Sequence, residues 1–94
     1  MSEKTAKSLA ALDALLPLLK ALPVNAERES VLEEAEALRR AVAAFHMEAI
    51  RFRMYSVDRA LKRMPAFTDG RALFEQLRTE LEAVGFHTRS HTAP

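Results

Sequence analysis

Between Asn25 and Pro65 the chain has no glycine and no proline, so nothing in this stretch stops an α-helix. Asn25 is placed to cap its start, with Glu27 and Glu29 in the first turns where the positive end of the helix dipole favours acid. The spacing predicts one helix over about 26–63, roughly 57 Å long at 1.5 Å per residue. A compact globule of this chain's 94 residues has a radius of gyration of only about 12 Å, so a straight helix of that length would protrude from it.

The vocabulary agrees with helix. There are 17 Ala and 13 Leu against six Val plus Ile and two Gly, which leaves little for strands. A first helix starts with Ser2 as its N-cap and carries the stripe Leu9, Leu12, Leu16, Leu19, widened by Leu15, Leu18 and Leu22 to about half the circumference. Pro17 removes an amide and crowds the carbonyl of Asp13, so a kink or break near Leu16 is expected; Pro23 ends the segment. The last helix is capped by Thr68 or Asp69 and runs to Val84, with Leu73, Phe74, Leu77, Leu81 and Val84 on one face. Gly85 suits a left-handed close, with Phe86 folding back onto Leu81. Residues 1–86 then form a single helical domain and 87–94 a tail without apolar periodicity.

The long helix carries two apolar seams. Val31, Ala35, Leu38, Val42, Phe45, Ala49 and Phe52 alternate steps of four and three; Met47, Ile50, Met54, Val57, Leu61 and Met64 repeat that rhythm about 120° around the helix. Where the seams overlap, between Met47 and Phe52, the helix is apolar on two sides and must be covered on two sides. The fold expectation is therefore all-α: one long central helix flanked by two shorter antiparallel helices, two copies pairing near Phe45–Phe52 into a helical bundle. Leu38, Val42, Phe45, Ala49, Phe52, Met47, Ile50 and Met54 are the candidate dimer or partner interface.

Charge is nearly balanced overall, 14 Lys and Arg against 13 Asp and Glu, but polarised locally. Glu27, Glu29, Glu33, Glu34 and Glu36 face only Arg28 at the start of the long helix, whereas Arg51, Arg53, Arg59, Lys62 and Arg63 face only Asp58 near its end. The dipole of a long helix favours that order, and it suits antiparallel pairing or a protein partner. Arg51, Tyr55, Arg59, Lys62 and Arg63 also make a candidate phosphate-contacting cluster, basic side chains around an aromatic, so nucleic-acid binding is the alternative. The Met residues of the second seam read as core, or as a docking groove if left uncovered.

Catalytic and metal chemistry find little. There is no Cys, which excludes disulfides and thiolate sites and suits a reducing cytoplasm. No Glu stands three residues before His46, His87 or His91, as a di-iron bundle would need, and His87 and His91 have no carboxylate nearby to complete a zinc site. No cofactor is called for. The most apolar run, Leu9–Leu22, is interrupted by Asp13, Pro17 and Lys20 and does not suit a membrane span. One motif bears comparison: Arg40 to His46 reads R-A-V-A-A-F-H, which is similar to the Arg-x(4 to 6)-His signature of the HEPN ribonucleases, and Ala41 departs from the polar residue usual after the Arg. The resemblance implies a helical dimer that cleaves RNA with Arg40 and His46. The residues themselves point first to a small non-enzymatic cytoplasmic homodimer acting by protein–protein contact, as adaptor, regulator or subunit.

Overall fold

A computed structural model describes residues 3–85 of the chain as four α-helices with no strand: α1 (Glu3–Lys20), α2 (Ala26–Ala44), α3 (Met47–Lys62) and α4 (Thr68–Ala83). The expected single helix over 26–63 is two helices. Ala41, Val42, Phe45 and His46 make the break. Phe45 takes the left-handed conformation at φ 50°, ψ 44°; its amide bonds the Val42 carbonyl at 2.9 Å, and the His46 amide bonds the Ala41 carbonyl at 3.0 Å. This is a Schellman close with phenylalanine where glycine usually stands. His46 then caps α3, its Nδ1 accepting from the Ala49 amide at 3.3 Å.

The break resolves the two-seam problem inside one chain. Folding α3 back along α2 lets the second seam point into the core that the first seam already lines. Val31, Ala35, Leu38 and Val42 of α2 and Ile50, Met54, Val57 and Leu61 of α3 are all buried in one cluster with Leu9, Leu12, Leu15 and Leu19 of α1 and Phe74, Leu77 and Leu81 of α4. The radius of gyration is 12.4 Å and the extents are 34 × 33 × 19 Å, two helix layers thick, so among the described residues no helix protrudes. The protruding rod that would call for a second chain is therefore absent from this fold.

α1 packs against α4 and α2, and α2 against α3. α1 continues through Pro17 to Lys20 without a break, because Pro17 sits in the last turn, exposed, where one lost bond is tolerated. Arg28 closes that helix from the neighbouring element: its Nε donates to the Leu19 carbonyl at 3.2 Å and its Nη2 to the Lys20 carbonyl at 2.7 Å. Asn25 caps α2 as its sequence position suggests, accepting from the Arg28 amide at 2.7 Å. The N-cap of α4 is Phe67 rather than Thr68 or Asp69, and no side chain bonds there. Its ring lies over Gly70, which is buried beneath it. Gly85 adopts φ 92° at the end of α4. Ser2, Phe86 and the tail lie outside the described residues.

Candidate interaction surface

The α2–α3 hairpin determines what remains on the outside. Arg53 Nη1 bonds Glu34 Oε1 at 2.9 Å, and Arg63 Nε lies 3.9 Å from Glu27 Oε2. The acidic half and the basic half of the segment, separated by up to 36 positions, lie antiparallel against one another, so the polarised charge finds much of its complement within the chain.

Of the eight residues proposed for an interface, Leu38, Val42, Ile50 and Met54 are fully buried in the chain's own core. Phe45 and Ala49 are half-buried, and Met47 and Phe52 are exposed, at 49% and 57%. Beyond the break the helix is re-phased: Phe52, the last member of the first seam, turns to solvent because Ile50, Met54 and Val57 face inward.

The outward strip of α3 has its own order. Glu48, Phe52, Tyr55, Arg59 and Lys62 are spaced four, three, four and three, within about an 80° arc at 100° per residue. The strip runs from acid through two aromatics to base. The Arg53 guanidinium lies 5.1 Å from the centre of the Phe52 ring, and that of Arg59 lies 5.4 Å from the centre of the Tyr55 ring. Lys62 pairs with Asp58 at 3.2 Å. Of the five candidate phosphate contacts, Arg59, Lys62 and Arg63 are exposed and Arg51 and Tyr55 half-buried; Lys62 and Arg63 already face carboxylates.

Arg40 is exposed on α2, and His46 uses Nδ1 to cap α3. Among the described residues no group of three or more His, Asp or Glu is arranged to hold a metal, and no helix is long and apolar enough to cross a membrane. The grooves between helices are shallow; one between α2 and α3 is lined by Ser30, Glu34, Ser56, Arg59, Ala60 and Arg63. Comparison with family models, curated proteins and solved structures gives no match.

Proposed function

We propose that this chain is a small non-enzymatic module that acts through protein–protein contact, as an adaptor, regulator or subunit of a larger assembly in a reducing cytoplasm. The contact surface is the outward strip of α3, and a second copy of the chain is among its partners. The observation that carries this reading is Phe52, a large aromatic side chain 57% exposed in the middle of a helical strip with Tyr55 and Arg59 beside it. Aromatic and arginine side chains are the groups that dominate binding energy at protein interfaces. A partner helix laid antiparallel on the strip would place acid against Lys62, base against Glu48 and an apolar side chain against Phe52.

The nucleic-acid reading draws support from Arg59 and Tyr55 but not from their surroundings. Phosphates approaching Lys62 and Arg63 would compete with Asp58 and Glu27 for the same cations. A photo-crosslinking residue at Phe52, compared with one at exposed Gln76 on α4, tests the proposal in the producing cell. Discrete protein adducts from position 52 and none from position 76 are expected. Equal labelling from both positions, or adducts to nucleic acid, would reject it.

A further inference from the structure

The turn between α2 and α3 is built from the wrong residues for a turn. Phe45 is the one non-glycine residue at positive φ among those described, in a conformation that costs an L-residue about 1–2 kcal/mol. Its neighbours, Val42-Ala43-Ala44 before and His46-Met47-Glu48-Ala49 after, include no glycine, proline or asparagine, and a continuous helix would accommodate all of them. Only two residues separate Ala44 from Met47. Short hinges under strain are the ones that open into extended connections.

What lies around the hinge points the same way. In a continuous helix Phe45, Ala49 and Phe52 rejoin the seam of Leu38 and Val42; in the closed chain Phe52 is cut off from that seam and faces solvent. The contacts across the hairpin, Glu34 with Arg53 and Glu27 with Arg63, all join segments on opposite sides of residue 45. Each can be remade unchanged between two chains, and the paired positions sum to nearly the same value, which centres an antiparallel pair of long helices on the hinge itself.

We propose that Phe45–His46 is a hinge that opens to give one helix over Ala26–Arg63, and that two copies exchange their α3–α4 halves to form an antiparallel, domain-swapped dimer. Each core is then α1 and α2 of one protomer closed by α3 and α4 of its partner. Every closed-chain contact away from the hinge is kept, the left-handed Phe45 is relieved, and the Phe45, Ala49 and Phe52 side chains of the two protomers meet at the two-fold axis. This rests on the reading of the chain as self-associating, and it specifies how.

The chain has no Cys, so labels can be placed freely. Spin labels at Ser30→Cys and Lys62→Cys, on the neighbouring ends of α2 and α3, are diluted into unlabelled chain so that only distances within one chain are read. Closed monomer gives a short distance. In dimer isolated after refolding at high concentration the exchange predicts about 48 Å, 32 residues of helix. A dimer that keeps the short distance overturns the exchange while leaving self-association intact; absence of any dimer overturns both. Met47→Pro supplies the second arm. Proline fits the first position of α3 after the extended His46 (φ −87°, ψ 101°) but cannot sit within a continuous helix. The variant should keep the helical circular dichroism of the native chain and lose the dimer, and Phe45→Gly, which takes the left-handed turn without strain, should lower the dimer fraction. A Met47→Pro chain that still dimerises with the long distance would contradict the hinge.

Discussion

Arg78 on α4 reaches Asp58 on α3 at 3.1 Å and is nearly buried, its side chain 9% exposed. The same guanidinium bonds Glu75 at 3.3 Å and lies 5.1 Å from the centre of the Phe74 ring, while Asp58 also accepts from Lys62. Asp58 therefore ties α3 to α4 at one point. Removing it takes one carboxylate from a desolvated cation, a cost of about 1–3 kcal/mol. Asp58→Ala should lower the urea midpoint accordingly, and Asp58→Ala with Arg78→Met should cost less than the sum of the two single changes. Additive losses would mean that the pair contributes nothing as a pair.

Gly70 is a packing requirement. A methyl group at Gly70 would run into the Phe67 ring, so Gly70→Ala must move that ring off the core. We expect a loss of about 1–3 kcal/mol despite the better helix propensity of alanine. Phe67→Leu should cost less in the Gly70→Ala background than alone. A stabilised Gly70→Ala variant would show that the ring does not rest on Gly70.

Ser8 lies on α1 with no exposed surface, and its hydroxyl has no hydrogen-bond partner among the described residues. Ser8→Ala removes a desolvated polar group at little cost in volume and should raise stability by about 1 kcal/mol. Denaturant unfolding reads this directly, and a destabilised variant would mean that the hydroxyl is bonded.

Asp13 on α1 accepts both Nε and Nη2 of Arg39 on α2, at 2.6 and 3.1 Å. Hydrogen bonding to Arg39, aided by its charge, holds the Asp13 carboxyl below its ordinary value of 3.8. A carboxyl with a lowered folded value stabilises above the unfolded value and loses that contribution as pH falls through the folded one. The Asp13 carboxyl carbon resonance should therefore titrate below 3.8, and Arg39→Gln should return it upward. No change in Arg39→Gln would show that the pair is not formed in solution.

Much of the core was legible in the sequence. Leu9, Leu12 and Leu19 of the α1 stripe, Val31 to Val42 of the first seam, Ile50 to Leu61 of the second and Phe74, Leu77 and Leu81 of α4 are buried; Phe45, Ala49, Phe52, Met47 and Met64, the seam members beside the break and at its far end, are not. The Asn25 cap and the left-handed Gly85 were legible too, because each has its usual residue. The break at Phe45 was not, because it uses no helix stopper. Its one trace is the apolar pattern changing face near Met47, which fits two helices sharing a core as well as one rod shared by two chains. The surface followed from that difference: Leu38, Val42, Ile50 and Met54 went inside, and Phe52 was left outside. Arg28, read only as a lone base among glutamates, proves to close α1, a contact between elements that no local pattern reveals.

The fold-back at Phe45 decides which apolar side chains are core and which are surface. The antiparallel register sets Val31 opposite Val57 and Leu38 opposite Ile50, all four fully buried. Isotope-filtered NOE spectra of a mixture of labelled and unlabelled chain, at a dilution where light scattering gives the monomer mass, measure this most directly. Methyl contacts between Val31 and Val57 and between Leu38 and Ile50 are expected within a single chain. A monomer without those contacts, its helix continuous through residue 45, would contradict the fold-back.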